Sequence, residues 1–313
     1  VQRNLTSVAS KIDFVTVVFS GELGLLRLQA RAINKFVDHQ IVGKIILIIN
    51  DKDESDLVAP LETLSREYGK LQANVEIIRP DEIFRWDVGP TGVIARLKAA
   101  YTRHRASIPG ERQNGWRRHR GWQLQQAMKL ASVRRCVSDY VVILDAKNHF
   151  LAPIRFDDFV SATGKSLTYF EKIGDWQKRW FRDACKIIGI DPSMAEETKY
   201  MPSMTPFVVR RAFLIEVLDS VEKKAGPVQV LFGTKRDEVT EFALIFAHCL
   251  ACHGAIDPEF ELGLEPAAFT VRGGASGFTD GVIDRAETGK NKVFGLHSGS
   301  LKDLTDAHRA RLA

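Results

Sequence analysis

The stretch DYVVILDAKNHFL, residues 139–151, decides the fold class. Residues 140–144 are five largely apolar positions rich in β-branched side chains, the pattern of an interior strand in an α/β sheet. The polar cluster Asp145, Lys147, Asn148 and His149 follows at once. Open α/β sheets bind ligands at the carboxyl ends of their strands, so chemistry is expected to start at Asp145. A carboxylate there suits a metal ion, a ribose hydroxyl or a diphosphate held through a cation. Asp and Asn also favour plain turns after strands, and the local pattern leaves both readings open.

Working outward, the segments before this strand alternate: strand 14–19, helix 23–37, strand 44–49, helix 57–68 and strand 75–78. Such alternation predicts a parallel sheet with right-handed crossovers. The first helix carries Leu26, Ile33 and Val37 on one face, which should dock on the sheet. The turn before it, Ser20, Gly21 and Glu22, could line a nucleotide pocket, although Ser and Glu also suit any helix N-terminus. Asp51 and Asp53, after the second strand, carry the same two readings.

From about residue 80 to 121 the periodicity fades into a polar, basic connection that reads as a lid or binding loop. A helix is predicted over 121–133. Its Gln123, Gln125, Gln126 and Lys129 are unusually polar for a helix that directly precedes a buried strand. Part of that polarity is expected to face a pocket, where Gln125, Gln126 and Lys129 could bond sugar hydroxyls or a phosphate; covering the sheet edge is the other use. Trp116 and Trp122 could stack on a sugar or base, or simply pack. Beyond the central strand, 166–170 and 206–210 read as strands, 175–188 as an aromatic-rich helix, 212–223 as an amphipathic helix and 239–252 as a buried one. A last strand is predicted at 292–296, ending at His297.

The chain has 313 residues, 45% hydrophobic and 27% charged, with no repeat or low-complexity tract. A chain this long buries about three quarters of its unfolded surface, so core size is not limiting. The formal charge of +5 is uneven, because Arg103, His104, Arg105, Arg112, Arg117, Arg118, His119 and Arg120 fall in one span. A nucleotide diphosphate or an anionic glycan would suit that span, as would plain solvation; no nucleic-acid module accompanies it, and nucleic acid is not expected. Residues 1–12 lack an apolar core and read as no secretory signal. The uncharged run 242–256 is shorter than the roughly 20 residues that span a bilayer, so no transmembrane segment is expected, while peripheral association stays open. Cys136, Cys185, Cys249 and Cys252 are too scattered for a disulfide framework and fit a cytoplasmic protein, at the inner face of the membrane or free of it. Cys249, Cys252 and His253 match the attachment pattern of c-type haem, but they lie in an apolar helical run with no export signal. No second pair stands at zinc spacing.

The strand ending in Asp145, the acidic run Asp237, Glu238 and Glu241, and the late HSGSLK at His297 to Lys302 occur in the order of the GT-A glycosyltransferases, which the chain resembles from about residue 12 to 302. It is most similar to bacterial glycosyltransferase-like proteins with a GWxxQQxxKL helix, an LDxD strand end and an SE(Y/F) helix, matched here by GWQLQQAMKL, LDAK and TEF. His297 and Lys302 are similar to the HxGxxK of glycogenin-like retaining transferases. The resemblance implies an α/β, GT-A-like fold with a Rossmann-type, mostly parallel central sheet flanked by helices. It implies a single domain over 1–313, with a nucleotide-sugar-binding half at 11–151 and an acceptor-binding half at 152–313.

The resemblance also implies transfer of a sugar from a UDP- or GDP-linked donor to a glycan or glycolipid hydroxyl, in surface polysaccharide synthesis. Asp145, Gln125, Gln126, Lys129, Ser20, Glu22 and Lys302 would then face the donor. Glu241 would be base or stabiliser, with Glu238 one turn away as substitute. One departure stands out: Lys147 occupies the place of the second DxD carboxylate. Either Asp145, His297 and Asn148 still hold Mn²⁺ or Mg²⁺, or Lys147 replaces the metal and meets the departing diphosphate. A third reading is an inactive glycan-binding or scaffolding module on the same fold. A nucleotidyltransferase is the remaining rival, and SGELG at residues 20–24 is a poor phosphate loop for it.

Overall fold

A computed structural model describes residues 10–51, 53–88, 93, 97, 100–101, 121–233, 239–262, 268–271, 276–288, 292–296 and 305–312. Its centre is a five-stranded sheet. In chain order the strands are β1 (Ile12–Val18), β2 (Val42–Ile49), β3 (Val75–Ile78), β4 (Tyr140–Asp145) and, after the three-residue β5 (Asn148–Phe150), β6 (Phe207–Arg210). Their spatial order is β3-β2-β1-β4-β6; the first four run parallel and β6 runs antiparallel to β4. The expected mostly parallel α/β sheet flanked by helices is therefore present. Its last strand, β6, comes from the C-terminal half of the chain and pairs with β4 from the N-terminal half.

The sheet is buried on both faces, and the alternation of side chains along each strand divides the core in two. Phe14, Val18, Leu47 and Leu144 pack under α1 (Leu23–Phe36) and α2 (Glu54–Ser65), meeting Leu26, Ile33 and Leu61. Val15, Val17, Ile46 and Ile143 point to the other side. There they meet Met128 of α3 (Gly121–Ala131), Phe181 of α4 (Asp175–Ile188), Leu214 of α5 (Arg211–Ala225) and Ile245 of α6 (Glu241–His253). Full burial of each such side chain is worth about 1.5–3 kcal/mol. That two-sided burial explains why 140–144 reads as a continuous apolar run rather than an alternating one.

Helix ends follow local chemistry. Gly189, at φ 81°, closes α4 in the left-handed region, and the Gly174 amide at its start donates to Gln177 Oε1 at 3.1 Å. The observed helix matches the predicted span of 175–188. Thr240 caps α6, its hydroxyl oxygen accepting from the Ala243 amide at 3.2 Å, so this helix starts two residues later than the predicted 239. The predicted helix 57–68 is displaced: it runs Glu54–Ser65 and passes into a 3₁₀ stretch, Arg66–Asn74, interrupted by Gly69 at φ 56°. A second, three-stranded sheet escaped prediction except for its strand at 293–296, which the expected last strand at 292–296 matches. In it β5 pairs antiparallel with β8 (Val293–Leu296), which runs parallel to β7 (Ala268–Val271). No described helix is long and apolar enough to cross a membrane.

The register sets the site. Val17 stands opposite both Ile48 and Asp145, so β1, β2 and β4 end nearly level and release their next residues onto one edge of the sheet. The basic span 102–120 and Trp116 lie outside the described residues.

Candidate active-site cleft

A cleft of about 640 Å³ opens at that edge. β1 and its following turn contribute Val17, Val18, Phe19, Ser20 and Glu22; the end of β2 adds Asn50 and Asp51; β4 and its turn add Asp145 and Lys147. α3 closes it with Gly121, Trp122, Gln125, Gln126 and Lys129. Two cross-ties hold the rim. The Ser20 amide donates to Asp51 Oδ2 at 2.8 Å, and Asn50 Nδ2 donates to the Gly121 carbonyl at 2.9 Å, fastening the start of α3 to the sheet. The volume suits an organic ligand with a few convergent polar groups.

Asp145 is the electrostatic centre. Lys129 Nζ lies 2.8 Å from its Oδ1 and Lys147 Nζ 3.0 Å from its Oδ2. Gln125 Nε2 donates to Oδ1 at 3.4 Å and the Thr205 hydroxyl to Oδ2 at 3.0 Å. Burial alone would raise the pKa of this carboxyl group, but the two ammonium groups outweigh burial and hold it well below the usual carboxylate range. Behind it, Lys129 reaches Glu241, its Nζ 3.1 Å from Oε1. The Glu241 carboxylate is buried, and Lys129 is the cation that faces it among the described residues. Burial, opposed by Lys129, raises the Glu241 pKa. For Lys129, burial would favour the neutral amine; Asp145 and Glu241 reverse this and keep it charged well above its ordinary value. The Lys129 ammonium also sits 5.6 Å from the Phe242 ring centre.

A buried polar frame fixes the loop that presents Asp145. Gln29 of α1 is fully buried; its Oε1 accepts from the Thr16 hydroxyl at 2.9 Å, and its Nε2 donates to the carbonyls of Asp145 (2.7 Å) and Asn148 (3.1 Å). Asn148 Oδ1 in turn accepts from the Asp145 amide at 2.7 Å, and its Nδ2 donates to the Thr205 carbonyl at 3.2 Å. Sequence reasoning missed Gln29 and Thr16. The available signal was a polar residue on the sheet-facing side of α1, three positions after Leu26 and four before Ile33.

The structure thus brings together Asp145, Lys147, Gln125, Gln126, Lys129, Ser20 and Glu22, all expected at the donor or reacting centre. It places others differently. Glu241, expected near the reacting atoms, is 0% exposed and does not line the cleft, because α6 is apolar all round and buries even its first residue. Asn148, expected as a metal ligand, is fully buried with both amide atoms committed to backbone. His149 packs beneath α1, its Nε2 3.1 Å from the Leu25 carbonyl, and burial pushes its pKa down to about 4. Glu238, His297 and Lys302 lie outside the described residues.

The described residues of the cleft do not make up a divalent-ion site. A carboxylate offers about four lone-pair positions, and Asp145 meets four donors. A hard cation wants several free oxygen ligands, and among the described residues no three His, Cys, Asp or Glu side chains could hold a metal. Cys249 is buried within α6 and Cys252 is exposed, its Sγ 3.4 Å from His248 Nε2; all four cysteines are free.

Fold and cleft define an α/β protein with a lysine-neutralised carboxylate at the carboxyl edge of its sheet. The chain belongs to DUF6492, a family of unknown function, whose model matches residues 18–263. Among solved structures it is similar to mouse xyloside xylosyltransferase 1 in its apo form, at 9% identity and a TM-score of 0.39, over 91% of this chain and 97% of that one. It is also similar to core-mannan synthase A from Aspergillus fumigatus in its Mn/GDP form, at 11% identity and a TM-score of 0.48, over 78% of this chain and 70% of that one. No curated protein matches it.

Proposed function

We propose that this protein is a glycosyltransferase that binds a nucleotide sugar in the cleft and transfers the sugar to an acceptor hydroxyl without a catalytic metal. The observation that carries the reading is the position of Lys147, at the carboxyl edge of a parallel sheet and held by Asp145 at 3.0 Å. An ammonium has three donor hydrogens. One is spent on Asp145, and the others are free to meet phosphate oxygens as negative charge develops on the leaving diphosphate. Gln125 and Gln126, one turn from Lys129 on α3, supply further polar contacts along the donor. The order of motifs along the chain supports the same reading.

In this account Asp145 is the anchor of two ammonium groups. Glu241 is a positioning residue that holds Lys129 from behind, and Asn148 and Gln29 hold the Asp145 loop. The reaction forms a bond from the acceptor oxygen to the anomeric carbon, breaks the bond from that carbon to the diphosphate, and passes the hydroxyl proton to a base. Domain limits of 1–313, with a donor half to residue 151 and an acceptor half beyond it, belong to the same proposal.

The test is release of UDP or GDP from a panel of nucleotide sugars by the purified chain, with and without EDTA. Release that EDTA leaves unchanged is expected. Release that Mn²⁺ restores after EDTA would return the metal to the mechanism, and pyrophosphate as product would indicate a nucleotidyltransferase. Lys147 in place of a carboxylate is also the observation that favours the glycan-binding module. Saccharide binding with no nucleoside diphosphate released from any donor would select that reading.

A further inference from the structure

Glu22 ends the turn from β1 into α1 and lines the cleft, half-buried. Its carboxylate accepts no hydrogen bond among the described residues. The neighbouring carboxylates are engaged: Asp145 by four donors, Asp51 by the Ser20 amide, and Glu241 behind the cleft against Lys129. Glu22 is thus the open carboxyl group of the site among the described residues. Resting on the reading of a nucleoside diphosphate in this cleft, we propose that Glu22 joins the complex as a neutral carboxylic acid, taking up a proton as the diphosphate binds and donating it in a hydrogen bond to a phosphate oxygen.

The charges around it argue for this form. Asp145 faces it from β4, Lys147 from the following turn and Lys129 from α3, while His149 beneath α1 is kept neutral by burial. Burial first, then Asp145, raises the Glu22 carboxyl to about 7, with Lys147 and Lys129 acting in the opposite sense. A diphosphate adds like charge and raises it further, and only the protonated form has a hydrogen to donate. The sign follows from linkage. At pH 6 the acid is already protonated and binding costs nothing extra; above pH 7 each binding event must draw a proton from solvent, so affinity falls as pH rises.

Calorimetric titration of UDP, GDP and inorganic pyrophosphate at pH 6 and pH 8, in two buffers of different ionisation enthalpy, tests this on wild type, Glu22→Gln and Glu22→Ala. The ligands titrate too, so the Gln variant is the reference. Between pH 6 and 8 the wild type is expected to weaken roughly tenfold more than Glu22→Gln, the equivalent of one pKa unit. Proton uptake at pH 8 is expected to be greater in wild type than in the Gln variant, by up to one proton per ligand bound. Glu22→Ala, lacking any donor, should bind more weakly than Glu22→Gln at both pH values. Equal pH dependence in wild type and Glu22→Gln would overturn the proton uptake, and equal affinity in the Ala and Gln variants would overturn the hydrogen bond. Failure of wild type to bind any of the three ligands at either pH would instead overturn the nucleotide reading on which this proposal rests.

Discussion

Lys129→Met is expected to cost about 3–5 kcal/mol of folding stability, the range for removing one partner of a buried ion pair. The side chain is 3% exposed and stands between Asp145 and the fully buried Glu241. Without it Asp145 keeps Lys147, whereas Glu241 has no cation within reach among the described residues. The loss should depend on pH. In the variant the Glu241 carboxyl, already raised by burial, loses the cation that opposed that rise, so its protonated folded form is favoured below the unfolded pKa, and that advantage is lost as pH rises through the folded value. The defect should therefore be smaller at pH 5 than at pH 8. Glu241→Gln in the same chain should recover much of it, because the double variant removes the orphaned charge as well as its partner. Denaturant unfolding of wild type, both single variants and the double variant measures the coupling directly. A loss under about 1 kcal/mol, no larger than for an exposed pair, would mean that Lys129 is not the buried keystone described here.

The second large effect concerns turnover. Lys147→Ala should reduce kcat by about 10²–10³-fold, the size seen when one preorganised donor to developing charge is removed. Lys147 is about one-fifth exposed and among the described residues ties to Asp145 alone, so the fold should tolerate the change and binding of the donor should suffer less than turnover. Lys147→Asp sharpens the point. It restores two carboxylates at residues 145 and 147 and frees Asp145 Oδ2 from its ammonium, creating oxygen ligands that the wild type lacks. Turnover in that variant should respond to Mn²⁺ where the wild type does not. Steady-state rates with and without EDTA distinguish the cases. Unchanged kcat in Lys147→Ala would remove this residue from the chemistry.

The parts of the molecule that were legible in the sequence are those where one force acts alone. The run 140–144 read as an interior strand because apolar side chains fill both faces, and the position of Asp145 at its end followed. Helix α4 was legible at both ends because Gly174 and Gly189 punctuate it. What escaped is where tertiary contacts override local signals. Glu241 was expected near the reacting atoms as base or stabiliser, yet EFALIFAHCL has no polar face to turn outward, so burial of its first residue was implicit in the composition of the helix. Gln29 and Asn148 look local in sequence, but Gln29 bonds the Asp145 and Asn148 carbonyls and Asn148 bonds the Thr205 carbonyl, distant positions that no periodicity reports. Asp13 is similar: within an apolar strand it is fully buried, accepting from the amides of Lys44, Val137 and Ser138 and from the Ser138 hydroxyl, and so ties the entry of β4 to β1 and β2. Strand β5 has three residues, too few to display a period of two.

The candidate site was readable as a set of residue types and less so as a division of labour. The polarity of Gln125, Gln126 and Lys129 on a helix leading into a buried strand announced that one face of α3 meets a polar space, and the three residues do line the cleft. Their order of engagement was hidden: Lys129 turns inward to Asp145 and Glu241, Gln125 reaches Asp145, and Gln126 folds back to the Trp122 carbonyl at 3.1 Å. The substitution at residue 147 was visible as a departure from DxD. That its ammonium would share Asp145 with a second lysine was not, since the two lysines meet only after α3 has packed against β4.

Calorimetric titration of UDP and of GDP into the wild-type chain and into Asp145→Ala, each in EDTA and in Mn²⁺, tests the central claim most directly. The account predicts that one nucleotide binds the wild type equally well with and without metal. It also predicts that Asp145→Ala, which releases Lys129 and Lys147 from their shared anchor, loses that binding while its thermal unfolding stays cooperative. Binding that survives Asp145→Ala undiminished, or that appears only with Mn²⁺, would contradict a metal-free nucleotide site built on Asp145.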